Sequence, residues 1–513
     1  MISECKVVPF HKLHQLIAKE KATGSKIVHC HGTFDLVHPG HIIHFEEAKA
    51  RGDILVVTIT AEKFVNKGPG RPFFGDDLRI RSLINLETVD FVSVIPFPAA
   101  VEAIKAVCPD VYCKGKEYQN PSVDVTGNIH EDIKTVKEVG GEIAYLGSVV
   151  FSSSKLLNKH FETFSKSTKD LLHRVSKEFS PSELSKLVDD FSSLRVLVIG
   201  DLILDKYSTV SVQGLTSKNR ILSSRFVSEN LQAGGALAIF RHIKEFTPNV
   251  RLFSLAGNEP WIDQFLKEHL SEEENWIQQE PGFTTIVKHR FIEALSAGKE
   301  LSKLFSVNHI DKDHPNPSIQ NKLSSKLRRK IKDFDLVLVA DFGHGLMSAD
   351  LREIVQEEAN FLALNCQTNS NNYGFNIINR QYQRADSFSL DQTEMSLSTG
   401  KKNFDESLEL EQLANTLFAK YGWFTRGGSE TIGFTKGHSP CFCDSLEKEA
   451  IDTVGAGDAF CATASLAATK GLPIELATLV GQIAGAQAVR IVGNSDCISK
   501  VKFMKSLEAL LNL

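Results

Sequence analysis

The sequence predicts an α/β protein built as two units, and three observations carry that reading. Between residues 26 and 148, short apolar β-rich runs at 27–30, 54–60, 91–95, 111–114 and 142–146 alternate with helical patterns. Parallel strands need a crossover, usually a helix, so this spacing predicts βαβ units and a doubly wound parallel sheet. A second buried strand opens at Arg195-Val196-Leu197-Val198-Ile199 and runs into Gly200-Asp201 after a polar stretch, as a new core would. Two glycine-bearing turns, one near each end of the chain, lead directly into helical patterns. At 513 residues the chain also exceeds one ordinary core. The expected boundaries are a first domain at 1–154, a helical connector at 155–194 and a second domain at 195–513. The connector carries Leu171, Leu172, Val175, Leu184 and Leu187, and Ser180-Pro181-Ser182-Glu183 has the form of a helix N-terminal cap.

The first turn is Gly32-Thr33-Phe34-Asp35-Leu36-Val37-His38-Pro39-Gly40-His41. It follows the first strand and precedes a predicted helix at 41–50, where Ile42, Phe45, Glu46 and Lys49 fall at helical spacing. Two imidazoles separated by Pro-Gly at a helix start can both face one anion. That arrangement suits nucleotidyl transfer, in which the α-phosphate passes through a charge-rich transition state. Lys67-Gly68-Pro69-Gly70-Arg71-Pro72 follows the second strand and offers two cations on a glycine-rich loop, suited to a triphosphate. Residues 109–115 read as a strand ending in Lys114, and Phe151-Ser152-Ser153-Ser154-Lys155 sets three hydroxyls before an amphipathic run. The whole segment resembles the cytidylyltransferase-like nucleotidyltransferases, whose motif is HxGH. The resemblance implies a Rossmann-like nucleotidyltransferase domain in which His38, His41 and Lys67 are catalytic. It also places Gly32, Thr33, Phe34, Arg71, Lys114, Ser152, Ser153 and Ser154 on the nucleotide, with the acceptor phosphate as the alternative for Lys114.

The second turn is Ile451-Asp452-Thr453-Val454-Gly455-Ala456-Gly457-Asp458-Ala459-Phe460. Its glycines can turn tightly into a helix, so that amides and helix dipole face an anion. Asp458 then sits where a general base would take the acceptor's proton. Residue for residue this resembles the DTxGAGD signature of the PfkB, or ribokinase-like, carbohydrate kinases. Further elements follow the family's order. They are Gly200-Asp201 to Asp205 after the first strand, an alternating 207–232 stretch like a small β lid, and Gly234-Gly235-Ala236 opening a helix. Asp341-Phe342-Gly343-His344-Gly345 and Thr425-Arg426-Gly427-Gly428 come after. The resemblance implies a ribokinase-like doubly wound α/β domain with Asp458 as base. Gly455, Ala456 and Gly457 form the anion hole, with Thr425 and Gly427 on the nucleotide. Asp201, Asp205, Gly234, Gly235 and Asp341 take the substrate side, and Glu394 acts on magnesium through water. Three positions depart from the family. Leu364-Asn365-Cys366-Gln367 replaces Asp-Pro-Lys, Asp391-Gln392-Thr393-Glu394 replaces Asn-x-x-Glu, and Gln482 stands where Asn is usual near adenine.

Composition narrows the class. Hydrophobic residues at 42% and charged residues at 24% are those of a globular protein, and a net charge of −5 gives no basic field for nucleic acid or anionic membrane. No apolar run reaches transmembrane length, the N-terminus lacks a signal-peptide core, and nine cysteines include no CxxC pair. Cys30, Cys113 and Cys461 fall in apolar contexts as reduced core residues, so a cytoplasmic enzyme is expected.

Together the two halves resemble the bifunctional ADP-heptose synthases with the domain order reversed. The resemblance implies a sugar or polyol kinase joined to a sugar-phosphate nucleotidyltransferase, making an NDP-activated, heptose-like sugar for surface polysaccharide. It implies Mg2+, ATP at the kinase site, ATP or CTP at the transferase site, small-molecule substrates and a homodimer. The alternative is a CTP-dependent cytidylyltransferase whose kinase-like half senses sugar or dimerises.

Overall fold

The computed structural model describes residues 6–119, 128–147, 164–293, 302–310 and 317–511. It divides into two compact units, Met1–Thr163 with Met504–Leu513, and Phe164–Phe503.

The first unit is organised by a five-stranded sheet whose neighbours are all parallel, in the order β3-β2-β1-β4-β5. The strands are β1 (Ile27–Gly32), β2 (Ile54–Thr60), β3 (Phe91–Ile95), β4 (Val111–Gly115) and β5 (Glu142–Leu146). Each predicted strand is present, displaced at most slightly at its end. Helices cover both faces, which is why β2 is buried and β-branched on both faces and not alternating polar and apolar. Phe45, Leu83 and Val89 pack with Val28 and Val57 on one side; Leu13, Ile17 and Val107 pack with Ile27 and Val56 on the other. The helix after β1 runs Pro39–Lys49 with His38 as its cap. It begins two residues earlier than predicted because proline at the first helical position has no N–H to leave unpaired.

One buried side chain ties this unit's working edge together. Arg79, on the helix Asp76–Ile84, is 0% exposed. It donates to Thr33 O at 2.7 Å and Thr60 O at 3.0 Å, the carbonyls just beyond β1 and at the end of β2, and pairs with Asp76.

The second unit holds an eight-stranded sheet, β19-β18-β17-β16-β15-β14-β6-β9, and a four-stranded sheet, β13-β12-β7-β8. Its strands in chain order are β6 (Val196–Gly200), β7 (Leu202–Leu215), β8 (Leu222–Gly234), β9 (Val250–Phe253), β10 (Leu255–Ala256) and β11 (Gln278–Gln279). They continue as β12 (Ile286–Glu293), β13 (Ser302–His309), β14 (Leu336–Asp341), β15 (Leu362–Cys366) and β16 (Ser387–Asp391). The last three are β17 (Tyr421–Thr425), β18 (Glu430–Thr435) and β19 (Cys441–Asp444). The large sheet is parallel from β9 through β17 and closes with an antiparallel edge, β17-β18-β19. The small sheet is the β lid expected at 207–232. It extends beyond that stretch to four strands, because β12 pairs parallel with β7 and carries β13 beside it.

The segment expected to be a separate connector is described from residue 164 and belongs to this second unit. Its helices are Lys166–Glu178 and Pro181–Asp189, the latter closed by the Ser180–Glu183 capping box. Ser165 N–H donates to Asp444 Oδ2 at 2.7 Å and Asp444 N–H to Thr168 Oγ1 at 2.8 Å, fastening the segment to the edge strand. The unit thus starts earlier than 195, and from Met504 the chain groups with the first unit. Cys30, Cys113 and Cys461 are buried free thiols. Among the described residues no helix is long and apolar enough to cross a membrane.

Replacing Arg79 with Met keeps its length and removes every donor. The Thr33 and Thr60 carbonyls then lose this donor, and the first unit is expected to lose about 3 kcal/mol, read from its denaturant midpoint.

Candidate active sites

In the first unit the turn after β1 brings His38 and His41 together. His38 caps the helix, its Nδ1 accepting the His41 N–H at 3.3 Å, and the two rings stack at 3.8 Å with 17° between planes. Phe34, in the left-handed region at φ +47°, sets its ring edge-on to His41 at 5.2 Å and against Phe45 at 5.1 Å. Burial lowers His38, and burial with the neighbouring His38, Lys67 and His44 lowers His41 to about 3. Both shifts favour the neutral imidazole, which carries a single N–H, and His38, accepting on Nδ1, keeps its Nε2–H to donate.

Asp35, which carries no role in the sequence motif, fastens the cationic loop to this turn. Its oxygens accept from Phe73 N–H at 2.8 Å and Phe74 N–H at 2.9 Å, and Arg71 stands 3.5 Å from Oδ2. Lys67 is exposed on the same loop, and its charge bears on both histidines. Lys114 pairs with Asp132 at 3.0 Å, an acid that also accepts from Tyr112 OH at 3.2 Å. Gly32 ends β1 and Thr33 is held by Arg79. Ser152, Ser153 and Ser154 lie outside the described residues.

A polar cluster behind this edge went unread. His29 Nε2 and His31 Nδ1 both meet Thr58 Oγ1 at 2.8 Å, and His31 Nε2 meets Thr60 Oγ1 at 3.2 Å. The signal was present: alternate residues of one strand share a face, so His-x-His on β1 had to place both rings together.

In the second unit Gly455 caps the helix Ala456–Thr469 at φ +83°, a conformation that favours glycine, and a Cβ there would stand 2.4 Å from Asn494 Oδ1. Ala456, Gly457 and Asp458 form the first turn, where orphan N–H groups and the helix dipole favour an anion. Asp458 is buried. Asn365 Nδ2 and Gln367 Nε2 each donate to its Oδ1 at 2.8 Å. Burial pushes its carboxyl up to about 6 while those two amides pull it down. The departures noted at 365 and 367 thus face the proposed base itself, a juxtaposition that a separation of some ninety residues concealed.

The substrate-side acids divide. Asp205 pairs with Arg290 of β12 and accepts from Asn494 Nδ2 at 3.1 Å. Gly234 packs so tightly on it that a Cβ would lie 2.3 Å from Asp205 Oδ2, and Gly235 opens the helix Gly235–Lys244. Asp201 and Asp341 do not present open carboxylates. Asp201 accepts from the N–H groups of Phe342 and His344 at 3.2 Å and Leu346 at 3.3 Å; burial and Asp341 push it up to about 7. Asp341 is taken by Arg352 at 2.9 Å, Tyr382 OH at 2.7 Å and Gly343 N–H at 3.0 Å. These two acids shape the loop after β14. Asp452, at the head of the glycine turn, is fully buried and binds Lys303 at 2.7 Å, Tyr207 OH at 3.2 Å and Gly493 N–H at 2.8 Å. Lys303 and Tyr207 both come from the β lid.

Glu394 forms a capping box with Asp391, its Oε2 accepting the Asp391 N–H at 2.8 Å while Oε1 accepts from Thr368 N–H at 3.3 Å. Burial and Asp391 push it up to about 8. Among the described residues no group of three or more His, Cys, Asp or Glu side chains is placed to hold a metal ion. The carboxylate expected to act on magnesium through water thus accepts from two backbone N–H groups. Thr425 ends β17 with its hydroxyl on Leu390 O at 3.3 Å, and Gly427 turns at φ +55°. Gln482 donates to Thr431 Oγ1 at 2.6 Å.

Set against known families, residues 29–205 match the cytidylyltransferase-like family and residues 315–501 match the pfkB family of carbohydrate kinases. The chain therefore carries a cytidylyltransferase-like domain followed by a PfkB carbohydrate kinase domain, the first match running on into the second unit. Among individual relatives, the chain is 36% identical over 142 residues to "Bifunctional protein HldE" of Aliarcobacter butzleri, covering 27% of this chain and 30% of that one. It is 38% identical over 154 residues to the protein of the same name from Ectopseudomonas mendocina, covering 30% and 31%. The chain thus spans about a third of the length of these curated relatives. A crystal structure of phosphofructokinase-2 from Escherichia coli in complex with substrates and products is 13% identical over 62% of this chain and 99% of that one, with a TM-score of 0.49, too low to bear on the fold.

The lowered pKa of His41 has a direct check. Its ring resonances, assigned by their loss in His41→Asn, are expected not to titrate between pH 5 and 8. A midpoint near 6.5 would show an open, solvated imidazole instead.

Proposed function

We propose that the chain is a bifunctional enzyme, a sugar or polyol kinase joined to a nucleotidyltransferase that makes an NDP-activated, heptose-like sugar for surface polysaccharide. The observation that carries this reading is that one chain holds both an HxGH turn with its imidazoles stacked and a GAGD helix start with its acid buried. The relatives' shared designation as bifunctional supports the pairing. The family matches set the order within this chain, transferase then kinase. The relatives are matched over one stretch only, so no reversal relative to them is part of the proposal.

At the first site a phosphate oxygen of the sugar phosphate attacks the nucleotide's α-phosphorus, the bond to the bridging oxygen breaks, and pyrophosphate leaves. His38 and His41 donate to the charge gathering on the α-phosphate, with Lys67 and Arg71 along the triphosphate and Lys114 toward the acceptor. Charge that develops only in the transition state is where preorganised donors act most. At the second site Asp458 takes a proton from the acceptor hydroxyl, whose oxygen attacks the γ-phosphorus of ATP as ADP departs. The amides of Gly455, Ala456 and Gly457 receive the anion, with Thr425 and Gly427 beside the nucleotide. Asp205 with Gly234 and Gly235 lines the acceptor side. Magnesium bound to the nucleotide phosphates would neutralise part of their charge; a cytoplasmic homodimer is the setting. The engagement of Asp201, Asp341 and Glu394 by protein donors favours, as a second reading, a CTP-dependent cytidylyltransferase with a kinase-like sensing half.

His38→Ala or His41→Ala is expected to lower pyrophosphate release by about 10²–10³ and leave ATP-dependent phosphorylation intact. Asp458→Asn is expected to do the reverse, lowering phosphorylation by about 10²–10⁴. Both are read on a panel of sugar and polyol acceptors with ATP and CTP. Wild-type pyrophosphate release without any phosphorylation would select the second reading.

A further inference from the structure

The Asp458 carboxylate is asymmetric. Oδ1 receives two amide N–H groups, from Asn365 and Gln367, both at 2.8 Å, and Gln367 Nε2 also lies 3.3 Å from Asn365 Oδ1. Among the described residues no hydrogen bond reaches Oδ2. Asn365 is buried, close to the end of β15, and Gln367 directly follows that strand, its N–H donating to Asp341 O at 2.9 Å, so backbone pairing fixes both amides. Two donors on one oxygen fix both the position and the rotation of a carboxylate.

We propose that Asn365 and Gln367 are positioning residues that clamp Asp458 by Oδ1 and so select Oδ2 as the oxygen that removes the acceptor's proton. The proposal rests on the kinase reading of this unit. In the step, Oδ2 forms its bond to the hydroxyl proton as the O–H bond breaks. The freed oxygen electron pair bonds to the γ-phosphorus, and the bridging oxygen leaves on ADP with the electron pair of the broken P–O bond. The clamp also bears on ionisation. Hydrogen bonds to the charged form favour it, offsetting the burial that favours the neutral acid. A charged acid at either position would not serve: a second carboxylate at 365 or 367 would repel Asp458 and drive the two to share a proton.

The test uses the full chain with Gln367→Met, which keeps length without a donor, and Asn365→Asp, which keeps shape but replaces the donor with a charge. In wild type the acidic limb of kcat/KM for phosphorylation is expected near pH 6. It should move up by about one pH unit in Gln367→Met and further in Asn365→Asp, with KM for ATP nearly unchanged. Gln367→Asn, which retains an amide, should recover part of the shift. A limb that stays in place in both variants while kcat falls would overturn the clamp and leave only a packing role.

Thermal unfolding separates this outcome from failure of the kinase reading, because it needs no turnover. A carboxyl raised in the folded state contributes stability that is present below its unfolded pKa and lost as pH rises through its folded pKa. Gln367→Met raises the folded value further, so its Tm should fall more steeply than wild type between pH 5 and 8. That excess should vanish when Asp458→Asn is added. An excess that persists in the double variant overturns the proposal whether or not wild type phosphorylates anything.

Discussion

A parallel sheet ends all its strands on one side, and both units of this chain set site residues along such an edge. In the first unit β1 ends at Gly32 before the histidine turn, β2 at Thr60 before the Lys67 loop, and β4 at Gly115 beside Lys114. In the second, β14 ends at Asp341, β15 at Cys366 between the two clamping amides, β16 at Asp391 and β17 at Thr425. Strand ends of one direction are followed by helix starts of one direction, so the positive ends of several helix dipoles gather where phosphates would sit. A protein with two such sheets gains two anion-receptive edges from topology alone, and side chains are left to decide the chemistry.

The buried acids show how that edge is held in shape. Asp35, Asp201, Asp341 and Asp452 each accept from backbone N–H groups of a loop leaving the edge or turning beside it. A carboxylate out of water is tolerable only with several donors, and loop amides that no ladder satisfies supply them. An acid at a strand end is thus as readily a loop clasp as a substrate ligand. Its hydrogen-bond partners, and not its place in a motif, tell the two apart.

That distinction marks where the sequence stopped being legible. Short β-branched runs such as 54–60, spaced by helical patterns, are too short for helices, so all five strands of the first sheet were readable. The Gly-Ala-Gly turn and the His-Pro-Gly-His turn carried their own local geometry. The lid was half legible. β7 and β8 adjoin in sequence, whereas β12 joins β7 across some eighty residues, and its Lys288, His289 and Arg290 form no motif. The same holds for Asp201, buried in the loop that follows Asp341, and for Asp341, engaged by Arg352 and Tyr382, since both settings are properties of the assembled sheet. The amides at 365 and 367 registered only as absences of an acid and a lysine, and their purpose needed the fold to bring Asp458 to them.

Asp452 gives the glycine turn a property that a free-standing phosphate loop lacks. The carboxylate that braces the turn is itself held by Lys303 and Tyr207, which belong to β13 and β7 of the small sheet. A displacement of those strands that withdraws the ammonium or the phenol leaves a fully buried negative charge short of donors, at a cost borne by the turn. The position of the small sheet and the order of the glycine turn are thereby linked, and such linkage runs with equal strength in both directions. Whatever steadied β7 and β13 would stiffen the glycine turn, and whatever ordered the turn would steady the two strands in return.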